Sequence, residues 1–576
     1  MSSRLYTVAM LLLVLAAPLA AQSSAGGIRG QVTAADERPV EGMTVTAVRP
    51  DGSFLRRTVT DAAGTFLVGA LPAGEYEVTV QRVGFRRTVV RGVLVGAGRT
   101  TELAITVAAT AVELAPIVVE AGGVTIERGS PQFETTLNER AITRLPTGVD
   151  AQRLVALTPG VRADQLWGGS SVQSNNYQLN GISANHPGLG GALVSPNVSW
   201  IEQLEVRGLG AGAEHGNFQG GIVNVVTKTG SNTLQGHVRT ALETHQLNGS
   251  NLTRTEDVPE LASRNEVEGE VRGPLVRDRL FYYVSGQLIR SDRRAVNHLQ
   301  VGESQFAPDM ERTDEVRALL RATFNPTTSD LLNASAGMTG AYTDQFGLTG
   351  REVPGATQRR SAPMHFYDVS WERRLGRFGF LEAKGAHMRG RDDRRPYEAD
   401  SVPGIATYQV STTRQFQNAV FTDLQRPTNT VGSLIWRSFA TTGPVEHNLT
   451  VGAEDGAGTW QHRRTRNGGM TWRPRYYPPV VNLRFDPADP RTWDPMVPTA
   501  WGGEIDIDTW ARNSAAFVQD NITWGRLTLT PGVRFGWWEG RMRDTAGLMI
   551  RALRTQGVDP RIGFVLDLSG VGLPFD

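Results

Sequence analysis

The chain of 576 residues contains no cysteine. This absence excludes disulfide frameworks, thiolate zinc sites and cysteine nucleophiles. Its 59 lysines and arginines are balanced by 58 aspartates and glutamates, so no basic field points to a nucleic-acid partner. After residue 22, no run reaches the roughly 18 apolar residues that a membrane helix needs. A membrane β-barrel is not excluded by this, because only alternate residues of its strands face lipid.

Catalytic and metal-binding patterns are missing as well. The sequence has no H-x-x-E or H-E-x-x-H zinc pair, and its 9 histidines are scattered without a pair at metal spacing. No nucleophile–base arrangement stands out. We therefore expect no enzyme, no metal site and no cofactor.

The N-terminus has the pattern of a secretory signal. Arg4 gives a positive start, an apolar run extends from Val8 to Ala17, and small residues follow up to Ala21. We expect residues 1–22 to be a signal peptide, which implies export. A membrane anchor is the alternative, but an anchor needs a longer apolar run.

Residues 23–108 have the pattern of a small all-β domain. Short alternating strands, of which 75–80 is the clearest, are separated by turns such as 50–52. The stretch resembles the carboxypeptidase regulatory-like domain, and this resemblance implies a β-sandwich without catalytic residues. The shared core and turn positions include Gly30, Val32, Gly64, Phe66, Leu71, Pro72, Gly74, Tyr76, Gly84 and Phe85.

The stretch 200–232 is the most informative part of the chain. A short alternating segment at 201–206 leads into a glycine-rich turn, and a β-branched run follows at 222–227. These features alone also fit an ordinary glycine-rich loop between two strands. Their order resembles the end of the plug domain of TonB-dependent outer-membrane receptors. The residues that carry this resemblance are Ile201, Glu202, Glu205, Val206, Arg207, Gly208, Gly216, Gly220, Gly221, Asn224, Thr227 and Lys228.

The resemblance implies a plug domain over residues 126–232. Helical patterns predict short helices at 137–142 and 150–157, the second capped by Asp150. Asn180-Gly181 stands where the family has Asp-Gly after a strand. The flanking loops, 165–176 and 183–199, are implied to face the outer opening, although an ordinary polar loop is the alternative for each residue. The candidate ligand-facing residues are Trp167, Asn175, Tyr177 and His186.

Residues 109–125 form a linker that holds an apolar, β-branched run at 114–120. This run fits one more strand of the sandwich. The family carries a TonB box in front of the plug, and the resemblance implies that the run is this box. An extended segment with an unpaired edge can join the sheet of a partner by strand addition. The candidate TonB-contact residues are Pro116, Ile117, Val118 and Val119.

Residues 233–576 have period-two patterns. In 266–272, the even positions hold Glu266, Glu268, Glu270 and Arg272, and the odd ones hold Val267, Gly269 and Val271. Residues 316–324 and 527–537 alternate similarly. Such strands suit a barrel with lipid outside and water inside. A family barrel has roughly 22 strands, and these residues leave room for roughly half of them. We expect a truncated sequence whose sheet is open and curves around the plug.

These features predict a mostly β fold with an N-terminal β-sandwich, an α+β plug domain and an incomplete antiparallel transmembrane β-barrel. The resemblance, which extends to the Oar-like group of these receptors, implies a Gram-negative-type outer membrane with the N-terminal domain in the periplasm. It also implies that Arg207 and Glu205 lock the plug to wall charges such as Glu268 or Arg272.

The resemblance further implies import driven by proton-motive force. The implied partners are TonB with ExbB and ExbD, outer-membrane lipid, and a small solute or oligomeric ligand of the siderophore, glycan or peptide class. The alternative function is an outer-membrane adhesion or surface-binding barrel without active transport. Deletion of the box distinguishes the two, because only transport requires it.

Overall fold

The computed structural model describes most of the chain. The expected signal peptide at 1–22 lies outside the described residues, as does Pro116. Within the described part, no helix is both long and apolar enough to cross a membrane. The described residues are 25–109, 117–120, 124–125, 132–145, 151–162, 165–167, 169, 171–247, 260–294, 300–301, 304–305, 310–348, 352, 354–406, 415–474, 489–495, 503–543 and 547–568.

The N-terminal strands form two sheets around a shared apolar core. Its strands are β1 (Ala25–Ala34), β2 (Thr44–Val48), β3 (Leu55–Val59), β4 (Thr65–Pro72), β5 (Gly74–Gln81), β6 (Thr88–Val95), β7 (Thr100–Val107) and β8 (Ile117–Glu120). One sheet has the order β4-β1-β7 and the other the order β3-β2-β5-β6-β8. Alternate side chains such as Val45, Tyr76 and Ile105 fill the space between them. This confirms the expected β-sandwich.

A mixed sheet forms the centre of the plug. Its elements are β9 (Val124–Thr125), β10 (Glu134–Asn138), β11 (Val161–Arg162), β12 (Gln165–Leu166), β13 (Asn176–Leu179), β14 (Ile182–Ser183), β15 (Ile201–Arg207), β16 (Ile222–Thr227) and the helices Glu139–Ile142 and Ala151–Val155. Six strands pair in the order β14-β13-β16-β15-β10-β9, and β11 pairs with β12. Every residue of β16 is buried, as its β-branched composition predicts for a central strand.

The first helix of the plug is shorter than the sequence-based prediction, which placed it at 137–142. Leu137 and Asn138 belong to β10, and the helix starts at Glu139. Asn138 ends the strand and caps the helix, because its side chain accepts a hydrogen bond from the backbone N–H of Ala141 at 2.9 Å. The cap predicted at Asp150 lies outside the described residues.

Of the remaining strands, the 12 long ones and the short strand at Asp392–Pro396 build a large antiparallel sheet of 13 strands, and the other short strands form two small separate sheets. The long strands are β17 (Gln235–Thr244), β18 (Glu260–Val276), β19 (Leu280–Arg294), β22 (Met310–Phe324), β23 (Asp330–Phe346), β24 (Gln358–Arg374), β25 (Phe380–Gly390), β29 (Phe421–Thr442), β30 (Val445–Arg466), β33 (Ile505–Trp524), β34 (Leu527–Arg543) and β35 (Met549–Leu566). The short ones are β20 (Gln300–Val301), β21 (Ser304–Gln305), β26 (Asp392–Pro396), β27 (Ile405–Ala406), β28 (Gln415–Phe416), β31 (Trp472–Pro474) and β32 (Trp493–Pro495).

The large sheet is open. Its long strands pair in sequence order, with β26 joining β24 and β29, and its ends are β17 and β35. In the described part of the chain, these two end strands do not pair with each other. The structure thus confirms the expected open antiparallel sheet.

The two faces of the large sheet differ in polarity. In β18, the side chain of Val267 is 51% exposed, whereas that of Glu268 is 2% exposed. In β22, Leu320 and Phe324 are exposed and Arg321 is buried. The apolar face is therefore the outer one and the charged face surrounds the plug. This arrangement is the one that a membrane barrel requires.

The connections between the strands define the two ends of the barrel. One end has only short turns, and in outer-membrane barrels such turns face the periplasm. The sandwich lies at this end, where Arg29 forms an ion pair with Glu446 and Leu331 joins the apolar core of the sandwich. The short turns are 277–279, 325–329, 375–379, 443–444 and 525–526, and the long connections at the other end include 248–259, 295–309, 347–357, 397–420 and 467–504.

The lipid-facing assignment can be tested at Leu288, which is 59% exposed near the middle of β19. Leu288→Arg should lower the free energy of unfolding in bilayers by about 2–4 kcal/mol, because lipid does not solvate the guanidinium. Leu55 of the sandwich is similarly exposed, at 50%. In the same urea titration, Leu55→Arg should change stability by no more than about 0.5 kcal/mol, because it faces water. Equal effects of the two variants would contradict the assignment.

Candidate functional site

Asn180 fastens the plug to the barrel wall. Its side-chain oxygen accepts hydrogen bonds from the backbone N–H of Thr227 at 2.9 Å and from Nη1 of Arg321 at 3.0 Å. Its amide nitrogen donates to Asp368 at 3.3 Å, and its carbonyl oxygen accepts from Nζ of Lys384 at 3.2 Å. Because the wall residues come from β22, β24 and β25, one plug residue contacts three barrel strands.

The tight turn at Asn180-Gly181 explains why this pair follows β13. Both residues have positive φ, at 53° and 76°, a conformation that asparagine and glycine tolerate best. The N–H of Gly181 donates to Oδ1 of Asn224 at 2.9 Å, and Nδ2 of Asn224 donates to Glu205 at 2.9 Å. Asn224 thus connects the wall contact of the turn to a cluster of buried charges.

This charge cluster is centred on Arg207. Its guanidinium donates to Glu134 at 3.0 Å and to Glu205 at 2.8 Å, and it lies 3.2 Å from Nε2 of His215. Arg99 of the sandwich reaches the other oxygen of Glu134 at 2.6 Å. Apart from Arg99, these residues are at least 92% buried, so ion pairs and hydrogen bonds must compensate for their lost hydration.

Burial and charge act in opposite directions on these groups. Burial opposes ionisation of Glu134, but the guanidinium groups of Arg207 and Arg99 outweigh it and hold its pKa at about 2. Burial and the adjacent Arg207 both lower the pKa of His215 well below its usual value. At neutral pH, His215 is therefore uncharged and its Nε2 accepts the hydrogen bond from Arg207.

The predicted partners of Arg207 are wrong. Glu268 accepts a hydrogen bond from Arg239 at 3.4 Å, and Arg272 donates to Gln235 at 3.1 Å, so both bond within the wall. The physical reason is the strand register, in which β10 pairs with β15 and places Glu134 directly opposite Arg207. That pairing supplies the counter-charge from within the plug.

The charge cluster also binds the main chain of the sandwich. Nη2 of Arg207 donates to the carbonyl of Ala97 at 3.1 Å, and the N–H of Ala97 donates to Glu205 at 2.9 Å. Nε2 of Gln203 donates to the carbonyl of Val95 at 2.9 Å. Gln203, Glu205 and Arg207 alternate along β15, and together they hydrogen-bond to the backbone at and just after the end of β6.

Arg49, which no pattern in the sequence singles out, forms a second link between the sandwich and the plug. Its guanidinium donates to Thr229 at 2.7 Å, to Glu202 at 3.2 Å and to the carbonyl of Ala73 at 2.6 Å. Although burial opposes it, the charge of Glu202 raises the pKa of Arg49. A lone arginine after a strand carries no sequence signal for such a contact, because its partners are distant in the chain.

Other ion pairs join the plug to the wall. Lys228 lies 3.1 Å from Glu270 of β18, and Arg437 of β29 lies 2.5 Å from Glu214. Gly216 is required for close approach, since a Cβ at this position would lie 2.5 Å from the guanidinium of Arg534. The plug is thus held by charged wall residues, but not by those that the sequence indicated.

Trp167 and Asn175 do not face the outer opening as predicted. The indole of Trp167 covers Gly208, where an added Cβ would lie 2.2 Å from the ring, and stacks on Phe133 at 5.5 Å. Asn175 is fully buried and accepts from the N–H of Gly221 at 3.3 Å. Both side chains hold plug loops together, because the glycines leave space that these side chains fill.

A cavity of about 350 Å³ lies between the plug and the wall on the long-connection side. Of the predicted ligand-facing residues, His186 lines it, whereas Tyr177 lines a smaller space inside the plug. Nδ1 of His186 accepts from the N–H groups of Gly188 and Leu189 at 3.1 and 3.0 Å, and burial lowers its pKa to about 4. Wall residues that line the cavity include Asn429, Glu454, Asp455, Arg512, Asn513 and Trp538.

The predicted TonB-contact residues form a strand of the sandwich. Ile117, Val118 and Val119 lie in β8, which pairs in parallel with Thr88, Val89 and Val90 of β6. The sequence left two alternatives for this run, a further strand of the sandwich or a TonB box, and the structure shows it as a strand of the sandwich. Their role in binding TonB stays a prediction.

The fold and this site define a class of protein. A sheet with an apolar outer face and a charged inner face, wrapped around a plug, is the wall of an outer-membrane β-barrel receptor. Within the described residues, no group of three or more histidine, aspartate or glutamate side chains is placed to hold a metal ion.

Two stretches of the chain match known families. Residues 27–108 match the carboxypeptidase regulatory-like domain, and residues 302–570 match the TonB-dependent receptor-like β-barrel. The TonB-dependent transporter Oar of Myxococcus xanthus is 27% identical over 288 residues, which cover 46% of this chain and 26% of that protein. The large sheet is therefore similar to the barrel of the TonB-dependent receptors, whose members lie in the outer membrane.

Solved structures of the family share the fold. The outer membrane transporter YddB from Escherichia coli is 16% identical, with a TM-score of 0.52 over 75% of this chain and 58% of that chain. The ferric citrate transporter FecA is 12% identical, with a TM-score of 0.50 over 77% of this chain and 61% of that chain. The chain thus spans less than two thirds of the relatives that it resembles.

Removal of Arg207 tests the charge cluster. Arg207→Ala leaves Glu134 and Glu205 without their buried counter-charge, and we expect a loss of about 3–5 kcal/mol in the free energy of opening at the Ala97 amide. Native-state hydrogen exchange measures it. The control is Arg91→Ala, which removes an exposed pair with Glu77 and should cost about 0.2–1 kcal/mol. Unchanged exchange at Ala97 would show that the cluster does not hold the sandwich.

Removal of the Asn180 side chain tests the wall contact. Asn180→Ala leaves the buried Thr227 N–H and Arg321 without an acceptor, so exchange at the Thr227 amide should become easier by about 1–3 kcal/mol. Asn217 is the matched control, since it also has positive φ, at 60°, but is exposed. Asn217→Ala should leave the Thr227 amide unaffected. If both variants behaved alike, backbone strain and not the wall contact would explain the result.

Proposed function

We propose that the chain acts in active uptake of a scarce solute across the outer membrane, driven through TonB. The observation that carries this proposal is the position of the plug, which contacts the cavity on one side and the sandwich on the other. A solute that enters from the long-connection side meets the plug before it can pass. Movement of the plug is therefore the step that needs energy.

The energy source in this proposal is the proton-motive force. TonB, together with ExbB and ExbD, transmits it from the inner membrane to the segment around Pro116, Ile117, Val118 and Val119. The contact of the sandwich with the short-turn end supports this assignment, since we take that end to face the periplasm and β8 belongs to the sandwich. Outer-membrane lipid surrounds the apolar face of the barrel.

The ligand in this proposal is a polar solute of the siderophore, glycan or peptide class. The cavity lining supports it, because it combines amide groups such as those of Asn429 and Asn513 with the indole of Trp538. Amides orient a polar ligand by hydrogen bonding, and an indole gives it an apolar contact. Charges in the lining are paired, as in the Arg512–Asp455 ion pair at 2.8 Å.

A purely adhesive function is less well supported. In that alternative, the sandwich is the part that binds outside the cell. The sandwich contacts the short-turn end of the barrel, and its backbone at Ala97 hydrogen-bonds to Glu205 and Arg207 of the plug. This position favours a role on the periplasmic side.

Deletion of residues 114–120 tests active uptake. Cells that express the receptor should be supplied in turn with labelled ferric siderophores, oligosaccharides and peptides. We expect one of these probes to accumulate, and its accumulation to fall to background in the deletion variant or after a protonophore, while binding to the cell surface persists. Deletion of 83–84, in an exposed sandwich turn, is the control. Accumulation that survives both treatments would contradict the proposal.

A further inference from the structure

The outward face of β34 and β35 changes from apolar to charged part of the way along the strands. Arg534 donates to the carbonyl of Glu214 in the plug, so Phe535 and the other odd positions of β34 face outward. Each outward residue shares its face with its cross-strand partner in β35. Towards the short-turn end these pairs are apolar, and in order they are Leu527–Leu566, Leu529–Phe564, Pro531–Ile562, Val533–Pro560 and Phe535–Val558.

The outward pairs farther from the short turns are polar. In order they are Trp537–Gln556, Glu539–Arg554 and Arg541–Arg551. Trp537 follows Leu527 by ten positions along β34, which at about 3.3 Å per residue and a tilt of about 40° places it about 25 Å from the short-turn end. This distance equals the height of the apolar band of outer-membrane barrels, whose borders carry aromatic girdles. The charged pairs therefore lie at the level of the head groups of the outer leaflet.

Three arginines surround one carboxylate at this level. Glu539 lies 2.8 Å from Nη2 of Arg541 and 3.4 Å from Nε of Arg551, and Arg554 is its cross-strand neighbour. Three positive charges thus meet one negative charge. The nearby outward arginines are paired with carboxylates of their own, as in Arg512–Asp455 and Arg543–Asp508.

A groove of about 590 Å³ lies beside this cluster. Guanidinium groups bind phosphate oxygens through paired hydrogen bonds, and hydroxyl and amide groups add further donors. An indole offers a flat apolar face against which a sugar ring can pack. The outward residues that line the groove are Arg512, Ser514, Trp537, Glu539, Arg554 and Gln556.

The charges at a matching level of β19 and β22 are paired one to one. Arg290, which follows Leu280 by ten positions, lies 2.7 Å from Asp314. Arg312 lies 2.8 Å from Asp292. Since each of these two arginines has a carboxylate of its own, this part of the outer face offers no comparable excess of positive charge to an anion.

We propose that the groove beside Trp537 binds the phosphorylated head group of a glycolipid in the outer leaflet. Arg551 and Arg554 bind the phosphate, whose charge of about −1.5 to −2 matches the two guanidinium groups in excess. Trp537 packs against a sugar ring of the head group. The acyl chains extend along the apolar face at Phe535 and Val558, and this continuity selects a lipid over a free anion. The site lies outside the barrel, and its occupant is neither TonB nor the transported solute.

Titration of the full chain with a purified glycolipid tests this proposal. The chain in detergent micelles is titrated separately with lipid A, which is a diphosphorylated glycolipid, with dephosphorylated lipid A and with inorganic phosphate. Native mass spectrometry measures the bound fraction and gives Kd. R551Q/R554Q removes the two excess charges and leaves Glu539 paired with Arg541. R290Q/R312Q is the matched control, because it removes two outward arginines at a similar level.

We expect lipid A to bind the unmodified chain, and R551Q/R554Q to raise its Kd about 30-fold, or about fivefold for each arginine at a membrane surface. R290Q/R312Q should change Kd by less than about threefold. R551K/R554K keeps both charges and should also stay within about threefold, which separates loss of charge from loss of the fold.

Three results would overturn the proposal. Equal effects of R551Q/R554Q and R290Q/R312Q would indicate attraction by general surface charge. Equal binding of lipid A and its dephosphorylated form, or inorganic phosphate binding as tightly as lipid A, would remove the phosphate or the lipid from the recognition. Absence of lipid A binding to the unmodified chain would reject the site altogether.

Discussion

The buried ion pair between Arg207 and Glu134 is the interaction on which the arrangement of the domains depends. A guanidinium removed from water is stable only where carboxylates and carbonyls replace its hydration. Here these groups come from β10, from β15 and from the main chain of the sandwich. The plug thus supplies the counter-charges of Arg207, and the sandwich adds the carbonyl of Ala97 and the guanidinium of Arg99 to the same cluster.

The buried charges on the inner face of the barrel are likewise stabilised by polar partners. Charged side chains such as Arg321, Lys384 and Arg437 are buried, yet each contacts a polar atom of the plug. The wall and the plug supply each other's hydrogen-bond partners. Apolar contacts add to these polar ones, because Phe366 and Met388 of the wall join the apolar core of the plug.

Local patterns were sufficient to predict the strands and the sandwich, because alternation and turn residues act over a few positions, whereas the plug was predicted from its resemblance to a known family. The partners of Arg207 could not be predicted, since Glu134 is 73 positions away and becomes its neighbour only through strand pairing. The same holds for Arg49. Trp167 and Asn175 were misplaced because glycines at 208 and 221 create packing space that a loop sequence does not reveal. His186 lines the cavity, and its contact with a ligand stays a prediction.

The sandwich contributes backbone atoms, and not side chains, to its contact with Gln203, Glu205 and Arg207. The hydrogen bonds at 95 and 97 therefore do not depend on which side chains stand there, but both side chains are buried and are limited in size. The sandwich also contributes the side chains of Arg49 and Arg99. A distant homologue of this domain could replace it only with the same backbone shape at 95–97 and with these two arginines.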